Sequence, residues 1–139
     1  MERMGECHCG ALKAIATGEP ERVYICHCIA CQRRTGTAFH YGATFRKERV
    51  RLDGVRKVYE RGSDSGYPIR WHFCPDCGTT LYWEGDRNPA VCGVAVGAFP
   101  VDAFPRRAIR FSRSRCTPGS ACRRKCCITR KAARPHEVD

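Results

Sequence analysis

Seven of the twelve cysteines in this 139-residue chain fall into three closely spaced groups. Neighbours within a group are separated by only one or two residues: Cys7 and Cys9; Cys26, Cys28 and Cys31; and Cys74 and Cys77. Cysteines at this spacing, held at a tight turn, direct their sulfurs at one ion, and zinc is the usual metal for such thiolates. Gly10 and Gly78 follow two of the groups, where a turn of this kind needs a permissive backbone. The spacing therefore predicts zinc binding.

Seven ligands divide naturally into four plus three. The distant pairs 7/9 and 74/77 can join into one closed, structural four-thiolate site, whereas the local triple leaves an open zinc position that suits catalysis. Iron–sulfur ligation is less favoured, because seven thiolates do not divide into complete sets of four. A structural ion that closes the chain across about seventy residues contributes on the order of 10 kcal/mol to folding.

Two other interpretations of the cysteines remain open. In the first, all seven cysteines are small buried hydrophobic residues that bind no metal. In the second, both zinc ions are structural and a histidine completes the triple. For each histidine taken alone, a surface or strand-packing role is the more probable one; the candidates are His8, His27, His40 and His72. Cys92 lies in an apolar run and is expected to be a core residue. The other cysteines lie near the C-terminus and are weak candidates for metal binding: Cys116, Cys122, Cys126 and Cys127.

Short apolar or alternating runs, separated by turn signals, must supply the elements that hold these groups. They predict strands over residues 11–16, 22–26, 39–45, 50–52, 57–60, 69–73, 79–83 and 90–98. The last run is the most apolar and is expected to be central. A short helix is predicted over 29–34, and Asp53-Gly54 is a hairpin signal. The fold class is therefore mainly β, as an open barrel or two packed sheets.

Charge divides the chain near Pro105. The formal net charge is +11, of which residues 1–104 carry +2 and residues 105–139 carry +9. We expect residues 1–104 to form the zinc-binding domain, and 105–139 to be a basic, Cys- and Arg-rich tail that is weakly ordered or a replaced terminus. The tail favours contact with phosphates, but it has little aromatic content, so nucleic-acid binding ranks last among the functions considered.

The N-terminal residues show no apolar run typical of a secretory signal, and no segment is long and apolar enough to predict a membrane span. Closely spaced cysteines in a chain of this kind indicate a reducing compartment, where they bind metal or catalyse more often than they form disulfides. We therefore expect a cytoplasmic location.

Three stretches of this sequence carry a family resemblance. They are Cys7-His8-Cys9-Gly10, then Cys26-His27-Cys28-Ile29-Ala30-Cys31-Gln32-Arg33-Arg34-Thr35-Gly36, then Phe73-Cys74-Pro75-Asp76-Cys77-Gly78-Thr79. In this order they resemble the glutathione-dependent formaldehyde-activating enzyme (GFA) family, which includes centromere protein V-like domains. The resemblance covers roughly residues 5–104, and we expect nothing after Phe104 to match.

The resemblance implies a fold of the Mss4-like type with two zinc ions. By analogy, Cys7, Cys9, Cys74 and Cys77 hold the structural ion, and Cys26, Cys28 and Cys31 hold the catalytic one. It also implies a carbon–sulfur lyase that joins glutathione to formaldehyde, with a small thiol such as glutathione as the substrate. Three thiolates blunt the Lewis acidity of zinc, so nearby donors would assist; the candidates are Arg33, Arg34, Thr35 and His40.

We therefore predict a zinc-dependent enzyme that acts on thiol–aldehyde adducts. The alternative is a non-catalytic zinc module that binds other proteins, in which the Cys26/Cys28/Cys31 site is closed, with a histidine as the candidate fourth ligand. A zinc site with an exchangeable fourth ligand distinguishes the enzyme from the module.

Overall fold

The computed structural model describes residues 1–63, 65–104 and 109–112. These residues form ten strands and one α-helix, so the predicted mainly β class is confirmed. The strands are β1 (Glu2–Glu6), β2 (Lys13–Thr17), β3 (Arg22–Cys26), β4 (His40–Arg46), β5 (Val50–Asp53), β6 (Lys57–Gly62), β7 (Pro68–Phe73), β8 (Thr80–Gly85), β9 (Val91–Ala95) and β10 (Ile109–Ser112). The helix α1 spans Ile29–Thr35, and short 3₁₀ helices span Lys47–Arg49 and Val96–Ala98.

The strands form two sheets, which confirms the second of the two predicted arrangements. One sheet has the order β1-β2-β5, and the other has the order β10-β3-β4-β9-β8-β7-β6. Neighbouring strands are antiparallel, except that β10 runs parallel to β3. The apolar strand β9 lies in the middle of the larger sheet, as its composition predicts.

The core lies between the sheets. Leu12, Ala14 and Ala16 of the smaller sheet and its flanking loop belong to the same buried cluster as Phe45 and Val94 of the larger sheet. All five are fully buried. Because strand side chains alternate between faces, the opposite face of β7, β8 and β9 stays available for a site.

Strand β1 was not predicted, because its residues do not alternate in the usual way. Its inward positions hold Arg3 and Gly5. Arg3 is buried because its guanidinium donates to the Ala103 carbonyl at 2.5 Å and pairs with Glu19 at 2.7 Å. The bare Cα of Gly5 lies against the Phe99 ring, where an added Cβ would come within 2.6 Å.

The hairpin predicted at Asp53-Gly54 is wrong. Strand β5 pairs with β2 in the smaller sheet, and β6 pairs with β7 in the larger one. Residues 54–56 therefore carry the chain from one sheet to the other. Gly54 has a φ of +102°, and the carbonyl of Ala11 occupies the place of a Cβ, so the local turn chemistry is present without the hairpin.

Strand β10 lies within the stretch predicted to be weakly ordered. Its Ser112 is opposite Cys26 of β3. The domain boundary at residue 104 stays a prediction. The cysteines of the tail lie outside the described residues: Cys116, Cys122, Cys126 and Cys127. The one α-helix in the described residues is too short to cross a bilayer.

Candidate metal centres and the surrounding site

Four cysteine sulfurs from two distant segments of the chain converge at one point. The Sγ atoms of Cys7, Cys9, Cys74 and Cys77 all lie within 4.8 Å of one another. Cys7 and Cys9 are 3.5 Å apart at sulfur, and Cys9 and Cys74 are 3.6 Å apart. Four thiolates about 2.3 Å from a zinc ion form a tetrahedron with edges of about 3.8 Å. The spacing thus fits a tetrahedral metal ion and is too wide for disulfides.

Two similar turns place these sulfurs. In the first, the Gly10 amide donates to the Cys7 carbonyl at 2.9 Å; in the second, the Gly78 amide donates to the Cys74 carbonyl at 2.9 Å. Gly10 and Gly78 have φ values of +79° and +75°, as the permissive backbone predicted at these positions requires. The amide of His8 donates to the Thr79 hydroxyl at 3.2 Å, which links the two turns.

Hydrogen bonds stabilise the ionised form of two of the sulfurs. The Leu12 amide donates to Cys7 Sγ at 3.2 Å. The hydroxyl and then the amide of Thr79 lower the pKa of Cys77 to about 5. Cys7 and Cys74 are buried in the core, whereas Cys9 is exposed. Cys7 and Cys77 are therefore the members of the group that ionise most readily, and Cys7 and Cys74 anchor it in the packed interior.

The second group forms where β3 ends and α1 begins. Cys26 is the last residue of β3, Cys28 is the N-cap of α1, and Cys31 lies in its first turn. The amide of Cys31 donates to Cys28 Sγ at 3.4 Å. The helix ends at Thr35, one residue beyond the predicted end, and its C-cap Gly36 has a φ of +67°. A single strand–turn–helix unit thus gathers three sulfurs within 4.8 Å of one another.

This triad has three ligands and no fourth among the residues that the structure describes. No histidine, aspartate or glutamate there joins Cys26, Cys28 and Cys31 within 4.8 Å. Cys26 and then Cys28 raise the pKa of Cys31, because three adjacent sulfurs cannot all be ionised without a cation among them. The donor set, which is all thiolate, suits zinc.

His40 is not the strand-surface residue that the sequence predicted. Its exposed fraction is 3%, and it lies opposite Cys26 in the β3–β4 pair. Arg34 Nη2 lies 2.9 Å from His40 Nδ1. Because arginine can only donate, Nδ1 accepts and the proton of the neutral ring is on Nε2. Burial, and then the charge of Arg34, lower the pKa of His40 to about 3, so the ring is neutral at physiological pH.

Two tryptophans form the floor beside the triad. Trp71 and Trp83 are cross-strand neighbours with centroids 5.1 Å apart, and Trp83 lies edge-on to His40 at 4.6 Å. Bare glycine backbone makes room for them: a Cβ on Gly93 would overlap the Trp83 indole, and one on Gly42 would lie 2.9 Å from it. This floor was not predicted from the sequence, although Trp71 and Trp83 lie on neighbouring predicted strands.

The structure places two of the four predicted donor side chains beside the triad and the other two elsewhere. Arg34 and His40 contact each other beside it. Arg33 is exposed on α1. The Thr35 hydroxyl donates to the Cys31 carbonyl at 2.9 Å, so it is bonded to the backbone of its own helix. Of the other predicted residues, His8 is exposed, His72 is buried on the opposite face of β7, and Cys92 is a core residue as predicted.

The fold and its two converging thiol groups define a β-rich protein with two candidate metal centres. Comparison with sequence families matches residues 2–114 to the glutathione-dependent formaldehyde-activating enzyme family, and the chain belongs to that family. The match extends past Phe104, so the expectation that nothing beyond that residue would match is wrong. No curated protein matches the chain.

Among solved structures, a Rhodobacter sphaeroides protein determined as a Northeast Structural Genomics target is similar. The TM-score is 0.59 at 24% sequence identity, and the alignment covers 78% of this chain and 99% of that one. At this identity the likeness shows the fold alone.

Proposed function

We propose that the protein is a zinc-dependent carbon–sulfur lyase-type enzyme that acts on thiol–aldehyde adducts, with glutathione and formaldehyde as the model substrates. One observation carries the proposal: the sulfurs of Cys26, Cys28 and Cys31 lie within 4.8 Å of one another, as a group of three thiol ligands. A centre with three protein ligands keeps a position for substrate. Membership of the family supports the same chemistry.

We assign separate roles to the two groups. Cys7, Cys9, Cys74 and Cys77 would hold a structural zinc ion, since two of them are core residues. Cys26, Cys28 and Cys31 would hold the catalytic one. Zinc in that position supplies a lowered pKa for a bound thiol and polarisation of a carbonyl group.

The chemical step conserves atoms and charge. The substrate thiol loses its proton to solvent, and its sulfur attacks the aldehyde carbon to form the carbon–sulfur bond. The carbonyl electron pair moves to oxygen, which takes up a proton to give the hydroxymethyl thioether. The lyase direction reverses each change. His40 takes no proton in this scheme, because its Nδ1 accepts from Arg34 and its Nε2 is buried.

The site itself argues against the non-catalytic alternative, in which a histidine closes the triad. No described histidine has a ring nitrogen within 4.8 Å of all three sulfurs. A reducing cytoplasm, which would keep all seven thiols available for metal, is the compartment in which the proposed chemistry would operate.

Metal content of cysteine variants tests the assignment. We expect the purified protein to hold about two zinc ions per chain and Cys28→Ala to hold about one. Cys92→Ala is the matched control, because Cys92 is buried but belongs to neither group, and it should keep both ions. Elemental analysis measures the content. Equal zinc in the Cys28 variant and the control would contradict the triad as a metal site.

The same variants test the activity. Exchange NMR of glutathione and formaldehyde measures how fast the adduct forms and breaks. We expect acceleration by the zinc-loaded protein and by Cys92→Ala, and its loss in Cys28→Ala. Full zinc content without acceleration would favour a non-catalytic module or another substrate.

A further inference from the structure

Arg34 carries a partly buried positive charge that no carboxylate in the described part of the chain neutralises. None of the ion pairs there includes Arg34. Its Nε is buried without a hydrogen-bond partner. Burial of an unpaired cation is costly, so the charge calls for an anion nearby.

The triad lies beside that charge, because His40, which accepts from Arg34, is opposite Cys26 in the β3–β4 pair. Burial lowers the pKa of Arg34, and hydrogen-bond and charge interactions with Cys31 oppose this change. Residues 22–44, which include the triad, contain Arg22, Arg33 and Arg34 but no aspartate or glutamate. The charged residues of this segment are therefore all positive, which favours anions near the triad.

Two buried rings hold the guanidinium in place. Arg34 Cζ lies 3.9 Å from the centre of the Trp71 ring, and Nη2 donates to His40 Nδ1 at 2.9 Å. Trp71 and His40 are themselves 8% and 3% exposed. Stacking and a directed hydrogen bond together keep the charge of Arg34 beside the triad.

We propose that Arg34 is the charge partner that lets the Cys26/Cys28/Cys31 centre accept a thiolate as its fourth ligand. This inference rests on the proposed function. Three thiolates leave a zinc centre with a single net negative charge, and an incoming thiolate doubles it. A fixed guanidinium beside Cys31 offsets that repulsion, but it does little for a neutral ligand. Arg34 thus selects anionic sulfur over neutral nitrogen.

The test compares two fourth ligands on the full-length protein loaded with cobalt(II), whose visible absorption changes with its ligands. 2-Mercaptoethanol binds as a thiolate and carries no other charge, whereas imidazole binds as a neutral ligand. At one pH, we expect Arg34→Gln to weaken 2-mercaptoethanol binding by at least about tenfold and imidazole binding by less than about threefold.

Two further variants separate charge from structure. Arg33→Gln removes the adjacent exposed charge and should leave both affinities unchanged. Arg34→Lys keeps the charge but not the planar stacking, and should retain the preference for thiolate. If Arg34→Gln binds no cobalt at all, the Arg34→Lys variant becomes the test. An Arg34→Lys protein that no longer binds 2-mercaptoethanol in preference to imidazole would overturn the proposal. Equal weakening of both ligands in Arg34→Gln, or unchanged thiol affinity, would also overturn it.

The cobalt content distinguishes failure of this inference from failure of the proposed function. Two cobalt ions per chain with unchanged thiol affinity in Arg34→Gln would remove only the charge partner. One ion per chain, unaffected by Cys28→Ala, would remove the triad as a metal centre and the proposed function with it.

Discussion

At the scale of single residues, Gly93 fixes the position of the Trp83 side chain. A Cβ at residue 93 would overlap the indole, which is 6% exposed and has little room to shift. We expect Gly93→Ala to lower the free energy of unfolding by about 1–3 kcal/mol, the usual cost of overpacking.

Urea denaturation measures this loss, and Gly97→Ala is the control. Nothing lies within 4 Å of the place a Cβ would occupy at Gly97, so that variant should stay within about 0.5 kcal/mol of the unaltered protein. Equal effects of the two substitutions would show that the floor adapts to the added methyl group.

Residue-level prediction succeeded where the chemistry is local. The spacing of Cys26, Cys28 and Cys31 within six residues is enough to place three sulfurs together. It failed for His40, because its burial depends on Trp71 and Trp83, which are distant in sequence. No local pattern contains that contact.

At the scale of elements, Arg3 joins β1 to two loop residues, Gly18 and Ala103. Its guanidinium donates to the carbonyls of Gly18 and Ala103 and pairs with Glu19. We expect Arg3→Met to reduce the free energy of unfolding by about 2–4 kcal/mol, because two carbonyl groups lose their donor. Urea denaturation monitored by tryptophan fluorescence would show the change.

Glu19→Gln is the matched control, since the Glu19 side chain is 68% exposed and an exposed ion pair contributes less than about 1 kcal/mol. If it destabilises the protein as much as Arg3→Met, the ion pair and not the backbone hydrogen bonds holds β1.

Elements with apolar alternation were predictable, and those without it were not. The predicted bounds of β3, 22–26, match the structure, because that strand carries Val23 and Ile25 between turn signals. Strand β1 places arginine and glycine inward and Met4 outward, which reverses the usual signal. The hairpin predicted from Asp53-Gly54 was wrong, because the residues of a turn do not specify which sheet the next strand joins.

At the scale of the whole molecule, the two thiol groups differ in how they connect the chain. The 7/9 and 74/77 pairs join segments far apart in sequence, and Cys7 and Cys74 belong to the buried core cluster. The triad lies within one strand–turn–helix unit and outside that cluster. Loss of the first group should therefore affect the entire fold, and loss of the second only its surroundings.

We expect Cys74→Ala to lower the melting temperature by more than 10 °C or to prevent folding, since several kcal/mol of metal-linked stability are lost. Cys28→Ala should lower it by less than about 4 °C. Differential scanning calorimetry on zinc-loaded samples gives both values. A larger shift for Cys28→Ala than for Cys74→Ala would reverse the two roles.

The alternation of faces along β7 and β8 has a consequence for engineering. Tyr82 belongs to the buried core and His72 packs edge-on against it, while their sequence neighbours Trp71 and Trp83 line the floor beside the triad. Substitutions at residues 71 and 83 would therefore change the surface beside the triad, at a cost in packing because both indoles are nearly buried, while residues 72 and 82 on the other face stay in place. The alternation of side chains along each strand thus separates the positions that face the triad from those on the other face of the sheet.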